Sequence, residues 1–460
     1  MYRLLVRCRA WCADHPRVTA AASVCVIFVL LWLTCWSQLD PDFGWHLQAG
    51  NYIRAHGIPA FDPYTYTAGS FRWIDHEWGN DVLTSLLYRL GGYSLLSTAF
   101  AGLWTAALCL FRRRQRLVVL LFALFAVASY VGVRPAVWTA LGVVLLLELL
   151  ARRTPRALLL VPLLFLLWAN LHGGFILGLA VVAYSAVRRR DWRLWAALLA
   201  SLLATVVNPY GLRLYVEIFR TLGDSTLHGQ IMEWRSWYIQ LPAWGFIILW
   251  GVGFWWFDRR RLWGWLGLAP LLLVAALSAN RNLPLFVMAA LRDVDGYWDR
   301  LAAALPRRLE GARKVLAAGA GVAVAGVVAG MLYHLYWPIR QREASYPRAA
   351  VTYLAAHPCT GNIFNGYNYG GYLIWKLPDV PVYIDGRMPS WRDGQGQTYY
   401  SRYLHIVMDQ QAQREEFARY HIRCAVLSRN TEGILVVRLQ RAGWKTVVTD
   451  PNGSMLLLAP

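Results

Sequence analysis

The chain has 460 residues, of which 57% are hydrophobic and 24 are tryptophan, and its mean hydropathy is +0.35. Because several apolar runs reach membrane-spanning length, this composition excludes an ordinary soluble domain and predicts a polytopic membrane protein. The formal net charge is +20, but the arginines gather in short clusters between the apolar runs. In that position they act as topology signals, so we expect membrane lipids, and no nucleic acid, as partners.

The first apolar run, at about 18–36, follows a basic N-terminal segment that ends in Arg17. The positive-inside rule therefore places the N-terminus in the cytoplasm. A cleaved signal peptide is the alternative, but no small-x-small cleavage site follows the run, which continues into the polar stretch 37–40. We therefore expect a retained membrane anchor.

An acidic loop that also contains histidines follows, at 39–81. Short amphipathic helices are expected within it at 45–56 and 78–90, the second ending at Gly91-Gly92. Carboxylates at a hydrocarbon boundary are costly and usually functional, so we predict that this loop carries the functional site. Its acidic and histidine side chains are Asp40, Asp42, His46, His56, Asp62, Asp75, His76, Glu77 and Asp81.

Beyond this loop, arginine clusters alternate with polar loops that lack such clusters. The alternation predicts a cytoplasmic location for the clusters and an external location for the loops. It predicts eleven crossings, several of them shorter than the ~20 residues that a perpendicular helix needs, so paired short helices in a thinned, water-lined region are an alternative. The predicted crossings are 18–38, 92–111, 117–132, 136–150, 157–170, 174–187, 194–208, 243–257, 262–279, 282–292 and 315–337.

The composition changes after the last predicted crossing. From 338 to 460, short β-rich runs alternate with helical stretches at about 346–357, 409–420 and 431–442, which indicates an α/β domain. An odd number of crossings places this domain outside the cytoplasm, so we divide the chain into a transmembrane domain at 1–337 and an extracytoplasmic domain at 338–460. Predicted strands lie at 362–365, 381–385, 424–428, 445–448 and 455–458.

Several sequence motifs resemble those of bacterial membrane proteins related to the GT-C glycosyltransferases, the class of protein O-mannosyltransferases and lipid A aminoarabinose transferases. The resemblance spans most of the chain and implies a GT-C-like α-helical membrane protein of the bacterial inner membrane. The motifs that carry it are Asp40-Pro41-Asp42-Phe43-Gly44-Trp45-His46-Leu47, Gly57-Ile58-Pro59, Asp62-Pro63, His76-Glu77-Trp78, Trp168-Ala169-Asn170-Leu171-His172-Gly173-Gly174, Asn208-Pro209-Tyr210-Gly211, Gly370-Gly371-Tyr372-Leu373 and Ile384-Asp385-Gly386-Arg387.

The resemblance implies a transferase that takes a sugar from a polyprenyl-phosphate donor on the outer face, with an acidic residue of the first external loop as base. A divalent metal, Mg or Mn, often lies nearby in this class. Asp40 and Asp42 occupy the position of the base here, and with His46 they are the candidate metal ligands. Two departures from the class are the Pro41 between the two carboxylates and the His76-Glu77-Trp78 sequence where aminoarabinose transferases have a Lys-Pro-Pro-Leu pattern.

The residue types fit this chemistry independently of the resemblance. A polyprenyl phosphate is a good leaving group, so the reaction needs one base and cations that hold the departing phosphate. Glu77 is a further candidate for the base, and guanidinium groups of the outer loops suit bidentate phosphate contacts. The candidates for the donor phosphate are Arg72, Arg134, Arg281 and His172, and further site candidates are His46, His76, Asn170, Glu233 and Asn282.

Each of these residues also has a purely structural interpretation. Asp40 and Asp42 could cap the helix that follows them, and Asn170 and His172 could serve helix packing. The alternative function is non-catalytic, either a transporter of lipid-linked saccharides or an envelope assembly factor. The acceptor, whether glycan, lipid or protein, is not indicated by the sequence.

Cysteine usage gives one more expectation. Cys359 and Cys424 are the two cysteines of the predicted external domain, and both lie at the start of predicted strands. An oxidising exterior favours a disulfide between them if their Cα atoms lie within about 7 Å. Two buried free thiols are the alternative.

Overall fold

The computed structural model is mostly helical, with one small sheet near the C-terminus. It describes residues 15–110, 116–152, 154–235, 241–260, 265–304, 326, 330 and 342–460. The helices of the N-terminal three quarters are α1 (Pro16–Ser37), α2 (Phe43–His56), α3 (Trp78–Cys109), α4 (Leu117–Val127), α5 (Ala136–Arg152), α6 (Pro155–Ala169), α7 (Phe175–Arg189), α8 (Trp192–Val206), α9 (Arg213–Leu222), α10 (Ser225–Gln230), α11 (Leu241–Phe257), α12 (Leu268–Ser278) and α13 (Leu283–Ala304).

Two described helices, α1 and α3, are long and apolar enough to cross a membrane, judged by length and composition. The number of crossings therefore stays a prediction. All of the last predicted crossing, 315–337, lies outside the described residues except positions 326 and 330. The shorter apolar helices are Leu117–Tyr130, Pro155–Ala169, Trp192–Val206, Ala243–Phe257 and Leu268–Ser278.

Helix α3 contains the break that the glycine pair predicts. It runs as one element, but Gly91 and Gly92 have non-helical backbone angles, and φ of Gly92 is 60°. A left-handed φ costs little without a Cβ, so the amphipathic first part of α3 can change direction before the apolar second part. The short helix expected at 45–56 is also present, as α2.

The C-terminal segment contains a four-stranded mixed sheet with the strand order β1-β2-β4-β3. Strand β1 pairs parallel with β2, and the other two pairings are antiparallel. The described helices α14 to α18 surround the sheet. The elements are α14 (Arg348–Ala356), β1 (Asn362–Asn365), α15 (Gly370–Lys376), α16 (Tyr399–Met408), α17 (Gln410–Arg419), β2 (Ile422–Ser428), α18 (Gly433–Arg441), β3 (Lys445–Thr449) and β4 (Ser454–Leu458).

One predicted strand is wrong. The stretch 381–385 does not join the sheet, and its only ladder contact among the described residues is an isolated parallel bridge between Val382 and Thr65 of the 39–81 loop. Its apolar side chains are buried, which explains the β-like sequence pattern. The described structure uses this stretch to hold the loop rather than to extend the sheet.

A disulfide joins Cys359 and Cys424, whose Cα atoms lie 6.2 Å apart. The parallel pairing of β1 with β2 brings the cysteines together, because Ile363 of β1 lies beside Cys424 in the register. The bond closes a loop across a sequence separation of 65 residues. A cross-link across a loop of this length restricts the unfolded chain, which raises the free energy of unfolding by about 2–5 kcal/mol.

The 39–81 loop packs tightly against the C-terminal segment. A Cβ on Gly44 of α2 would overlap the carbonyl oxygen of Gly371 in α15, and a Cβ on Gly371 would overlap that of Pro41. Only glycine permits this approach of two backbones. The two motifs, far apart in sequence, therefore meet at one contact.

A buried guanidinium fastens the same contact. Arg387 donates to Asp385 at 2.6 and 2.9 Å and makes an ion pair of 2.8 Å with Asp62 of the loop. The rings of Trp45 and Trp73 lie 5.8 and 4.6 Å from its guanidinium carbon. Because Arg387 pairs with both carboxylates, no unpaired charge of this arginine is buried. The network therefore positions the loop.

Candidate active site

Four charged side chains meet beyond the end of α1, and we call them the mouth cluster: Asp40, Asp42, Arg134 and Glu233. Arg134, from the turn before α5, pairs through Nε with Asp40 and donates through a terminal nitrogen to Glu233 Oε1 at 2.9 Å. Glu233 lies in a short 3-10 turn, Met232–Trp234. Three segments that are distant in sequence thus supply one charged patch.

Asp42 occupies the N-cap position of α2 without capping it, since its side chain accepts no hydrogen bond from the helix. Asp40 performs the local turn bonding instead, because its Oδ1 accepts from the backbone amide of Asp42 at 2.7 Å. Neither carboxylate therefore caps α2, and Asp40 stabilises only the turn before the helix. The carboxylate of Asp42 remains free of local backbone bonds.

The Asp42 carboxylate points to Gly386 of the C-terminal segment. A Cβ placed on Gly386 would overlap Asp42 Oδ1. Tyr367, from the turn after β1, donates its hydroxyl to the Gly386 carbonyl at 3.4 Å. The Asp385-Gly386-Arg387 motif thus forms a wall of the site, a role that the sequence indicated only as a turn or a strand end.

The electrostatic surroundings of Asp42 suit a base. Burial, and next the negative charge of Asp40, raise the pKa of Asp42 to about 7, while His46 opposes the rise. A general base is most effective when its pKa lies near the working pH. At neutral pH a large share of Asp42 is ionised and able to accept a proton.

A second group lies one helical turn further on, and we call it the histidine cluster: His46, His76, His172, Glu77 and Asp81. The Nε2 atoms of all three histidines face the Glu77 carboxylate, at 3.6 Å from His46, 3.6 Å from His76 and 3.3 Å from His172. Asp81 Oδ1 lies 2.6 Å from Nδ1 of His46. His46 belongs to α2 and Asp81 to α3, His76 and Glu77 lie just before α3, and the loop before α7 supplies His172.

Hydrogen-bond donors assign the tautomer of His172. Its Nδ1 accepts from the backbone amide of Gly174 at 3.2 Å and lies 2.6 Å from the Thr139 hydroxyl, which itself accepts from Trp168. Nδ1 therefore carries no hydrogen, and the ring proton is on Nε2, where it faces Glu77. His172 donates to the carboxyl group of Glu77.

Burial favours the neutral forms of three members of the histidine cluster, Glu77, His76 and His172. Burial raises the pKa of Glu77 to about 8, with His46 opposing the rise. Burial, with Arg281, lowers the pKa of His76 to about 4 and that of His172 well below its usual range. Removing these groups from water favours the neutral form of each.

The remaining predicted site residues fall into two groups. Arg281 belongs near the mouth cluster: its guanidinium stacks on Trp234 at 4.3 Å. Burial alone would raise the pKa of Glu233, but Arg134 and Arg281 outweigh it and lower that pKa. Arg281 is thus a second cation at this patch.

The other three lie apart from both clusters or serve packing. Asn170 donates to the carbonyls of Leu166 and Val207 and accepts from Trp78. Asn282 donates to the Ala275 carbonyl. Arg72 is exposed and makes no hydrogen bond or ion pair with the described carboxylates. The structure does not bring these side chains to the site.

The candidate metal ligands Asp40, Asp42 and His46 are not gathered around one point. Asp40 pairs with Arg134, while His46 faces Asp81 and Glu77. Among the described residues no group of three or more His, Cys, Asp or Glu side chains is arranged to hold a metal ion. A metal-bound histidine normally donates its second ring N–H to a neighbour, whereas Nδ1 of His172 accepts. These donor sets do not fit the divalent metal that the resemblance implies.

Sequence reasoning left Asp81, Thr139 and Gly386 out of the candidate site residues, although it placed Asp81 in the acidic loop. Asp81 carried a signal, since it follows Glu77 by one turn on the same predicted helix. Gly386 carried a weaker one, as the small residue within a charged motif. Nothing in the sequence pointed to Thr139.

No family model matches the chain, and no curated protein matches it in sequence. Solved structures do match. ArnT from Cupriavidus metallidurans in the apo state superposes with a TM-score of 0.54 at 15% identity, covering 95% of this chain and 97% of ArnT. The oligosaccharyltransferase of Archaeoglobus fulgidus in the apo form gives a TM-score of 0.52 at 11% identity, covering 96% of this chain and 74% of that one. Both are GT-C glycosyltransferases, and over nearly its whole length the chain has the GT-C-like fold.

Proposed function

We propose that the protein is a membrane glycosyltransferase that moves a sugar from a polyprenyl-phosphate donor to an acceptor hydroxyl on the outer face of the membrane. The observation that carries the proposal is the Asp42 carboxylate. It is free of helix-capping bonds, it has a pKa of about 7, and it lies beside the guanidinium of Arg134 within a GT-C-like fold. A poised base beside a phosphate-binding cation is what this transfer needs.

In the proposed reaction, Asp42 accepts the proton of the acceptor hydroxyl as its oxygen forms a bond to the anomeric carbon of the sugar. The bond between that carbon and the phosphate oxygen breaks, and its electron pair leaves with the lipid phosphate. No general acid is needed, because the phosphate is a stable anion. Arg134 and Arg281 hold the negative charge that develops on it.

Asp40 has a different role in this proposal. Its ion pair with Arg134 orients the guanidinium, and its negative charge keeps the pKa of Asp42 raised. The histidine cluster is assigned no step in the transfer. Through His46, which shares α2 with Asp42, it fixes the helix that presents the base.

The proposal includes a topology. The N-terminus lies in the cytoplasm, the 39–81 loop and the 338–460 segment lie outside, and the site is reached from the outer leaflet. The disulfide between Cys359 and Cys424 supports this side, because oxidising conditions prevail there. A reporter that is active only outside the cytoplasm, fused after Pro460, tests it, and an inactive fusion would overturn the outward orientation.

The function is tested by comparing envelope glycolipids and glycoproteins from cells with and without the gene. The parent gene should restore a sugar-modified product that the deletion strain lacks. Asp42→Asn should reach the membrane at parental level and transfer about 10²–10⁴-fold more slowly, the usual cost of losing a placed base.

Asp40→Asn and the double variant complete the series. Transfer within a few-fold of the parent in all three variants would show that Asp42 is not the base and would direct the search to Glu77 or Glu233. An unchanged glycan and lipid profile in the deletion strain would favour the non-catalytic alternative, a saccharide transporter or an assembly factor.

A further inference from the structure

A cavity of about 280 Å³ opens at the outer end of α1. Three segments form its walls: the residues that follow α1, the turn before α5, and the chain that enters the C-terminal segment. The side chains and backbone groups that matter for its chemistry belong to Ser37, Asp40, Gly132, Arg134, Arg342 and Tyr346. The cavity therefore adjoins the mouth cluster on its membrane side.

Arg342 is the unexplained group in this cavity. Its guanidinium carbon lies 4.1 Å from the ring centroid of Tyr93 and 4.7 Å from that of Trp36. Its Nε and one terminal nitrogen are buried and have no hydrogen-bond partner among the described residues. The aromatic rings hold the guanidinium by its faces, and the in-plane nitrogens that recognise oxyanions are left unused.

The surroundings do not neutralise this charge. A cation over an aromatic ring gains only about 0.5–2 kcal/mol, whereas an unpaired buried charge costs several kcal/mol. The one carboxylate that lines the cavity is that of Asp40, and Arg134 already pairs with it. The unpartnered in-plane nitrogens of Arg342 are therefore the groups in the cavity that can receive an anion.

The position of the cavity indicates which anion. It begins at Ser37, where the 22-residue apolar helix α1 ends. From there the stacked rings of Trp36 and Trp32, 5.9 Å apart, continue along the helix. Tryptophan at this level is typical of the membrane interface. An anion held by Arg342 can therefore carry an apolar chain that runs down α1 into the hydrocarbon layer.

We propose that Arg342 and Arg134 form the subsite for the phosphate of a membrane-embedded lipid phosphate. Arg342 binds a phosphate oxygen with Nε and its terminal nitrogen, and Arg134 approaches from the side of Asp42. The proposal deepens the proposed function and rests on it for the identification of this lipid as the sugar donor. Arg342 is a binding residue and takes no part in proton transfer.

The test measures binding of vesicles that contain a polyprenyl monophosphate to the purified full-length protein, with phosphate-free vesicles and inorganic phosphate as separate probes. Arg342→Met should weaken binding of the polyprenyl phosphate by about 10-fold or more, since charge-assisted bonds are lost. Arg342→Lys, which keeps the charge without the fork, should lose less. The matched control is Arg348→Gln, because Arg348 is exposed and lies outside the cavity.

Melting temperatures separate binding from folding. Arg342→Met should melt within a few degrees of the parent, because Nε and one terminal nitrogen of Arg342 have no hydrogen-bond partner among the described residues and methionine still packs against the two rings. A large fall in the melting temperature with unchanged affinity would identify Arg342 as a structural brace and overturn the proposal. Equal affinity for inorganic phosphate and for the lipid would overturn the lipid assignment.

Measuring transfer in the same preparations separates this inference from the proposed function. Binding that depends on Arg342 in a protein that transfers no sugar would support the subsite and contradict the transferase. Sugar transfer by the parent together with an affinity that is the same in Arg342→Met would contradict the subsite and leave the transferase standing.

Discussion

The mouth cluster and the histidine cluster both contain carboxylates and both include one residue of the short helix α2 or its N-cap, yet the partners of their carboxylates differ. Asp42 begins α2 and His46 follows one turn later, with the Glu77 carboxyl beyond it. In the mouth cluster Arg134 pairs with two carboxylates. In the described part of the histidine cluster no arginine or lysine forms an ion pair, and Glu77 faces three imidazoles, of which burial lowers the pKa of His76 and His172.

The difference teaches that the environment, not the residue type, assigns the role. Burial acts on both clusters and raises the pKa of Asp42 as well as that of Glu77. Among the described residues, only the mouth cluster has a guanidinium in ion pairs with its carboxylates, that of Arg134, and there burial and Asp40 raise the pKa of Asp42 to about 7. Two carboxyl groups, Asp42 at the start of α2 and Glu77 before α3, can thus have separate functions when their surroundings differ.

The largest effect that sharpens this comparison is expected from Gly386→Ala. The new Cβ would overlap Asp42 Oδ1, so the carboxylate must move while the histidine cluster keeps its geometry. A displacement of about 1 Å at the reacting groups costs on the order of 10²-fold in rate. Transfer by membranes with equal amounts of protein measures this.

The matched control for that variant is Gly394→Ala. A Cβ at Gly394 meets open space, and the residue lies in the same C-terminal segment. The control should transfer like the parent. If Gly386→Ala also retained the parental rate, the Asp42 carboxylate would not occupy the productive position described above.

An intermediate effect is expected on the pH dependence of transfer. Transfer should rise with pH through about 7, because the ionised form of Asp42 is the base. Asp40→Asn removes a negative charge that raises this pKa and releases Arg134 to act on Asp42. Both changes lower the pKa of Asp42, so the midpoint should move to lower pH.

The profile of kcat/KM between pH 5 and 9 is the measurement, since it reports ionisations of the free enzyme. Asp379→Asn serves as the control, because Asp379 is exposed and remote from the mouth cluster in the chain. A midpoint that stays fixed in Asp40→Asn, or that moves to higher pH, would contradict the coupling of the two carboxylates.

Local elements could be predicted well from the sequence, whereas contacts between distant segments could not. Helix α2, the break at Gly91-Gly92 and strand β1 follow from patterns within a few residues, and they are where the sequence placed them. The stretch 381–385 has the composition of a strand but serves as a strap for the loop. The pattern of apolar residues cannot distinguish a strand of the sheet from a segment that packs against the loop, because both arrangements bury the same apolar side chains.

The candidate site was predictable in part for the same reason. The concentration of acidic residues and histidines at 39–81 located it, because charge at a membrane boundary is costly without a function. Whether Asp40 and Asp42 are paired or free depends on Arg134, Glu233 and Gly386, which lie at least 90 positions beyond Asp42 in the sequence. Arg342 had no local signal, since its significance lies in what surrounds it.

The smallest expected effect concerns stability. It tests whether Glu77 in the histidine cluster is protonated in the folded protein. The pKa of Glu77 is raised to about 8 in the folded protein, against an ordinary value of about 4.3 in the unfolded chain. Between those values the folded protein binds a proton that the unfolded chain lacks. Stability from this group is therefore complete at low pH and is lost as the pH rises through about 8.

The melting temperature of the parent should accordingly fall between pH 7 and 9, and Glu77→Gln should flatten the curve, because Gln resembles the protonated carboxyl and does not titrate. The window avoids the histidines: burial lowers the pKa of His76 to about 4, so above pH 7 it is neutral in the folded protein and nearly so in the unfolded chain. Asp75, whose pKa burial also raises, contributes equally to parent and variant, and the difference between the two curves isolates Glu77.

Glu415→Gln, at an exposed position of α17, should leave the slope unchanged. Parallel curves for parent and Glu77→Gln would mean that Glu77 is ionised when folded, and the histidine cluster would then be a charged site like the mouth cluster.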